Sequence, residues 1–482
     1  MRRFTVVRSA GTLLLLMFGY PSRAIAADTA IDLGSRLELF VDHHLIDSLD
    51  GTTLRIHHPQ YDGVALEFDR PWEGLFCGYV TVIKDGDLYR IYYRGLPKAR
   101  ADGSNLETTC YAESEDGITW IKPNLRLYEV LGTRDNNVVL TGQAPSSHNF
   151  APFLDTRPGV SPEQRYKAVG GSGRSGLIAF VSADGLRWRK LRDEPILTKG
   201  AFDSQNVIFW SSHENKYICY FRTFKNGVRW ITRATSDDFI HWTEPTDMTF
   251  GDAPNEHLYT NQTRPYFRAP HIYVATAARF MPGRKVLNEA QAKAVGVNPG
   301  YFNDCSDSVL LTTRGGNRYH RTFLESFIRP GPGLGNWTSR TNYPAYGVVP
   351  AGPDKMLIHV QRDYAQPTHR LVRYTLRTDG FVSVNAPYAG GEMITKPLVF
   401  AGKNLLLNYA TSAAGGIRVE VQQADGTPVP GFSLDDCQET IGDQIERTIT
   451  WTSGDDVSKL AGQPVRLRFR LKDADLFSMR FR

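Results

Sequence analysis

Cysteine is scarce in this chain, with five in 482 residues: Cys77, Cys110, Cys219, Cys305 and Cys437. They are scattered, odd in number and form no CxxC pair, which argues against a structural zinc site and favours buried small hydrophobes. One disulfide, Cys77 with Cys110, is allowed in an exported protein. No lysine- or arginine-rich block occurs. No HExxH, EF-hand loop or glycine-rich phosphate cradle occurs either. No long helical run of alanine, leucine and glutamate is present, while aromatics make up 11% of the chain. That composition favours strands.

The longest early apolar run, Leu13 to Phe18, is too short to span a bilayer. It follows a basic start, Arg2, Arg3 and Arg8, and precedes the small-x-small site Ala24-Ile25-Ala26. This pattern predicts a signal peptide over 1–26, hence a secreted or periplasmic protein with no membrane attachment after cleavage. Without those residues the formal charge falls from +5 to +1. A nearly neutral chain lacks the electrostatic footprint of a nucleic-acid binder. Nothing in the sequence speaks to oligomeric state.

What is present is a repeated phrase. SEDGITW (Ser114 to Trp120), SADGLRW (Ser182 to Trp188) and SDDFIHW (Ser236 to Trp242) share Ser-x-Asp and a tryptophan four positions after the aspartate. Weaker copies are TRGGNRY (Thr313 to Tyr319) and RTDGFVS (Arg377 to Ser383). Asp-Gly makes tight turns, and short alternating segments such as DLYRIYYR and KYICYFRTF read as strands. Repeated four-stranded sheets arranged radially hide their edges. The chain is therefore expected to be all-β, with a five-bladed β-propeller over 35–386. Trp120, Trp188 and Trp242 are expected to pack the sheets together. After Asn385 the phrase disappears. IRVEVQQ and VRLRFRL alternate, with Arg466, Arg468 and Arg470 on one face, which predicts a β-sandwich over 387–482.

An exported propeller followed by a β-sandwich resembles the glycoside hydrolases of the invertase and levanase type. The S-x-DG-x-x-W phrase is similar to that of the arabinanase and xylosidase propellers and of mannoside phosphorylases. The chain also looks like the glycosidase-like propellers of bacteria that degrade polysaccharides. It lacks the invertase phrase WMNDPNG and the Arg-Asp-Pro and Glu-Cys phrases. The resemblance implies a carbohydrate substrate, no cofactor, and at most a structural calcium on the propeller axis.

Glycoside cleavage uses two carboxylates. In a propeller the mouth is lined where blades begin, so the Asp-Gly turns at Asp116, Asp184, Asp238 and Asp379 are set aside as structural. Four segments remain. Glu73 follows Trp72, and both are placed at the entry to the first blade, Trp72 as a stacking face. His148 and Asn149 precede the second blade and suit sugar hydroxyls. Asp203 opens the third, followed by Gln205 and Asn206; the resemblance implies that Asp203 stabilises the transition state. Glu256 and His257 open the fourth, and the resemblance places the general acid on this side, at Glu256. Asp304, Asp307, Glu325 and Arg329 are further candidates, and Trp337 in the loop 330–337 offers another stacking face. Two other readings stand beside glycoside hydrolysis. One is a non-catalytic carbohydrate-binding propeller. The other is a phosphorylase with Arg94, Arg264 and Arg362 around phosphate.

Overall fold

The computed structural model describes Met1 and residues 30–482. The leader expected over 1–26 lies, Met1 apart, outside the described residues. The chain is nearly all β. Its one described α-helix, Glu289–Ala294, is started by a reciprocal cap between Asn288 and Gln291.

Between residues 60 and 377 the strands form antiparallel groups. Ala151–Leu154, Tyr166–Ser172, Gly176–Ser182 and Arg189–Lys190 make one four-stranded sheet. Val207–Ser211, Lys216–Lys225, Val228–Ser236 and Thr246–Asp247 make a second. In a third, His257–Thr260 and Arg264–Tyr266 both pair with Ala269–Met281, which pairs with Cys305–Thr313. An eight-stranded sheet divides at a single parallel contact between Tyr346 and Thr81. One half runs Gly78–Asp85, Leu88–Gly95, Thr108–Ser114 and Val138–Thr141. The other runs Tyr343–Pro350, Lys355–Arg362 and Arg370–Arg377, and its outer strand is Gln60–Glu67, from before the first group.

The repeated phrase has one local job and one tertiary job. Locally, Asp116 Oδ1 accepts from the amides of Ile118 and Thr119 at 2.7 Å, and Ser114 Oγ accepts from the Gly117 amide at 2.8 Å. Asp184 with Ser182, and Asp238 with Ser236, repeat this set. Because backbone amides bond the charged form, they hold the Asp116 carboxyl down at about 2. The residue after each aspartate has positive φ: Gly117 at 72°, Gly185 at 75° and, where glycine is missing, Phe239 at 74°.

The tertiary job is docking. A Cβ at Gly185 would stand 2.5 Å from the hydroxyl of Tyr92, in the group before it. Phe239 packs on Phe153 with ring centroids 5.8 Å apart, again one group back. Gly315, in the fourth copy, lies against Glu214 of the previous group. Asp379, in the fifth, accepts at 2.7 Å from Tyr266 of the previous group. The first copy has no earlier group, and its Gly117 meets Leu357 in the last one. Trp188 follows the same direction, edge-on to Tyr92, and Trp120 packs edge-on to His359 of the last group.

The remaining strands form a ten-stranded sheet. Leu405–Gln423 pairs along Val465–Phe481, and Ile417, Val419, Val421, Leu467, Phe469 and Leu471 share one buried core. On the other face Arg466 pairs with Asp47, and Arg468 and Arg470 pair with Glu392. Residues 31–56, assigned from sequence partly to the first unit, belong to this sheet. Ile31–Gly34 pairs with Leu398–Phe400, Ile46–Asp50 with Gly391–Thr395, and Thr53–Ile56 with Val382–Ala386. Val382–Ala386 also pairs with the last strand, so the terminal sheet begins before 387. All five cysteines are buried free thiols, so the Cys77–Cys110 bridge is not formed.

Candidate active site

Each inner strand of the four-stranded groups is approached through a residue of positive φ: Tyr79, Asn149, Phe202, Gln262 and Asn342. Polar side chains gather at these kinks. The lower layer is made of amides. Gln205 Nε2 donates to Thr81 Oγ1 at 2.9 Å, and Gln262 Nε2 donates to Gln205 Oε1 at 2.7 Å and to the Pro344 carbonyl at 3.0 Å. Four groups are tied together by two glutamines. Gln205 is thus a buried brace and not the sugar contact expected from sequence. Asn206 Nδ2 donates to the carbonyls of Phe202 and Ser204, while its Oδ1 has no protein partner among the described residues.

The upper layer is arginine and tyrosine. Arg94 donates to Asp102 at 2.9 Å, to Asn149 Oδ1 at 3.0 Å and to the Phe76 carbonyl at 3.0 Å, with its guanidinium 4.7 Å from the Tyr79 ring. Arg340 reaches the Tyr364 hydroxyl at 3.4 Å and lies 6.0 Å from the Tyr259 ring. Arg222 pairs with Asp203 and stands 4.8 Å from Tyr259. Arg229 lies 4.9 Å from the same ring. Tyr259 and Tyr343 are 5.2 Å apart. Several buried atoms here have no protein partner: Arg222 Nε and Nη1, Arg94 Nε, Arg229 Nε, the Tyr343 hydroxyl and Asp304 Oδ1.

Electrostatics single out two groups. Burial pushes the Tyr259 phenol up, but Arg340, Arg222 and Arg229 outweigh it, and the net shift is down. It is the one described tyrosine with a downward shift. Asp304 is the one described carboxyl shifted upward: burial raises it, and the Ser339 hydroxyl with the charges of Arg340 and Arg229 only partly offsets this.

Of the residues picked from sequence, Asp203 lies in this group with its side chain 57% exposed. His148 and Asn149 border it as buried supports. Glu107 accepts from the Asn149 amide at 3.0 Å and bonds His148 Nδ1 at 2.8 Å, and Asn149 fixes Arg94. His257 contacts Arg229 through Nδ1. Strand alternation sends His257 and Tyr259 to one face and Glu256 to the other.

Glu256 therefore enters a different place, a cavity of about 700 Å³ lined also by Arg279, Cys305, Asp307, Arg329 and Trp337. Its Oε1 accepts from Arg279 at 2.9 Å and its Oε2 from Arg321 at 2.7 Å. Asp307 takes the remaining side of Arg279. With both oxygens bound by guanidinium groups, Glu256 is a counter-ion, and the general-acid role expected for it has no free oxygen to act through. Glu325 is exposed, and Arg329 makes no ion pair with it among the described residues.

Glu73 and Trp72 are in the core. Glu73 is fully buried, accepting from Tyr93 at 2.5 Å, Lys122 at 2.8 Å and the Arg70 amide at 2.8 Å. Trp72 donates to Asn137 at 2.8 Å and offers no open face. Arg264 and Arg362 do not join Arg94 around a phosphate: Arg264 lies on Tyr346, and Arg362 bonds the Pro330 carbonyl, Asn342 and Tyr374. No group of three or more His, Cys, Asp or Glu fit to hold a metal occurs among the described residues. Of the central amides, Gln262 Oε1 and Asn206 Oδ1 have no protein partner among the described residues.

Sequence reasoning missed Arg222, Arg229, Arg340, Tyr79 and Tyr343. A signal existed for one of them. Tyr92-Tyr93-Arg94 and Tyr220-Phe221-Arg222 repeat an aromatic-aromatic-arginine phrase toward the end of the second strand of two groups.

No family model matches the chain, and no curated protein matches it significantly. Solved structures similar to it include glycoside hydrolases. One described as a glycoside hydrolase is 11% identical with a TM-score of 0.46, covering 66% of this chain and 92% of the other. A fructofuranosidase from Schwanniomyces occidentalis with fructosylnystose is 11% identical with a TM-score of 0.38, covering 86% and 96%. An N-acetylgalactosamine deacetylase from F. plautii with blood group B trisaccharide is 13% identical with a TM-score of 0.45, covering 68% and 96%. Identities and TM-scores this low assign no activity to this chain.

Proposed function

We propose that the groups between residues 60 and 377 are the blades of a five-bladed propeller, with Gln60–Glu67 completing the last blade. The cyclic docking of the five turn phrases supports this, since each meets the preceding group and the first meets the last. The terminal sheet with its buried core is then the accessory sandwich.

We further propose that the arginine- and tyrosine-lined mouth cleaves glycosidic bonds. One observation carries this reading: two carboxyls in opposite environments border the same aromatic group. Asp203 is exposed and paired with Arg222, and Asp304 is half-buried with an unpartnered oxygen. Environments that push two carboxyls apart divide acid from base. In this mechanism Asp304 gives its proton to the leaving oxygen. Asp203, paired with Arg222, stabilises the positive charge that develops at the anomeric carbon, to which water adds as the bond to the leaving oxygen breaks. Incubating the purified chain with a glycan panel and measuring released reducing ends tests the reading. Cleavage that falls about a hundredfold in Asp203→Asn supports it. Glycan binding without any cleavage would transfer the assignment to a binding module.

We also propose export, on the strength of Ala24-Ile25-Ala26 after the apolar run. Mass spectrometry of the exported protein is expected to give a start near Ala27; a retained Met1 would rule this route out.

A further inference from the structure

We propose that the mouth selects a sugar carrying an oxyanion, a uronic acid above all, and that Arg229 and Arg340 are the residues that read it. This deepens the glycoside-cleaving reading and rests on its placement of the site.

Charge at the mouth is unbalanced in a specific way. Arg94 has Asp102, and Arg222 has Asp203. Arg229 and Arg340 make no ion pair among the described residues, and the carboxyl that faces both, Asp304, is shifted toward its neutral form by burial. Both face the Tyr259 ring, at 4.9 Å and 6.0 Å, together with Arg222 at 4.8 Å. Aromatic faces stabilise guanidinium groups but do not neutralise them.

Unsatisfied donors accompany that surplus. Arg222 is 3% exposed, yet its Nε and Nη1 have no partner; Arg229 Nε is in the same condition. Buried donors left bare are costly, and native proteins leave few of them. A neutral sugar hydroxyl would satisfy a donor but not a charge. A carboxylate does both, and its two oxygens match the planar fork of arginine. Tyr79, Tyr259, Tyr343 and Tyr364 pack around these arginines as a buried aromatic layer.

The test uses the full chain and calorimetric binding, independent of turnover. The probes are a disaccharide ending in glucuronic or galacturonic acid, its neutral counterpart of the same linkage, a sulfated counterpart and inorganic phosphate. The acidic disaccharide is expected to bind about tenfold or more tightly than the neutral one, with a preference that shrinks as salt rises. Arg229→Gln with Arg340→Gln is expected to abolish that preference. Arg340→Lys, which keeps the charge but loses the fork, is expected to retain part of it; thermal melts check that the variants fold. Equal binding of acidic and neutral sugars overturns the proposal. So does tight binding of inorganic phosphate with no preference among sugars, which would make the oxyanion a co-substrate. Stronger binding of the sulfated sugar than of the uronide keeps the oxyanion selector and overturns the uronate assignment. The two readings separate cleanly. Cleavage of neutral and acidic glycans alike would leave the mouth catalytic and remove the selector. An acid preference lost in the arginine variants, with no cleavage of any glycan, would keep the selector and remove the hydrolase.

Discussion

Asp304→Asn should lower kcat on unactivated glycosides by about a hundredfold or more, the usual contribution of a positioned acid. The loss should shrink on aryl glycosides, whose leaving groups need little protonation. The pH profile gives an independent check. Asp304 serves as an acid only while protonated, so activity should fall as pH rises through its folded value. Burial shifts that value upward, so the descending limb should lie at higher pH than for an ordinary aspartate. The asparagine variant should lose that limb. Because Asp304 Oδ1 makes no hydrogen bond to the protein, the substitution should hardly change the melting temperature. An unchanged kcat on unactivated substrates would remove Asp304 from the reaction.

Glu73→Ala should act the other way, on stability and not on chemistry. Its carboxylate is fully buried and joins Tyr93, Lys122 and the Arg70 amide. Lys122 is itself only 9% exposed. Removing one member of such a pair leaves the other under-compensated, at about 3 kcal/mol by the lower bound for buried pairs. Lys122 keeps Asp69 and the Glu67 carbonyl, which argues for that lower bound. Differential scanning at a fixed rate should show a lower melting temperature, while kcat at a temperature where the variant stays folded should be near that of the parent chain. A lost kcat with an unchanged melting temperature would return Glu73 to the mouth.

The contrast between these two residues shows what a sequence can reveal. The Ser-x-Asp turns were legible because the hydrogen bonds that close them are made within three residues. The inward alternation of the last strands was legible for a similar reason. Glu73 and Glu256 both stand just before strands, and position alone makes them look alike to Asp203. Their fates depend on distant cations: Lys122 is 49 residues from Glu73, and Arg321 is 65 from Glu256. No local pattern announces such partners. Gln205 likewise reads as a polar loop residue until Thr81, 124 residues away, takes its amide. Arg222 and Arg229 escaped because they sit within strands, where alternation reads them as solvent-facing.

The clasp between the two ends of the chain bears on the order in which the protein is made. Thr52 donates to the Glu392 carbonyl across 340 residues, and among the described residues the strand Ile46–Asp50 pairs only with Gly391–Thr395. At ordinary rates of synthesis, about 5–20 residues per second, that strand waits roughly 17–70 s for its partner. Throughout that time it is an unpaired edge, open to pairing with another nascent chain. The groups of strands between form largely from consecutive strands, but Gln60–Glu67 waits in the same way for Arg370–Arg377. A segment synthesised late therefore retires an early hazard: a chain stopped short of residue 391 would keep strand 46–50 without its edge partner, however well the groups of strands between had formed.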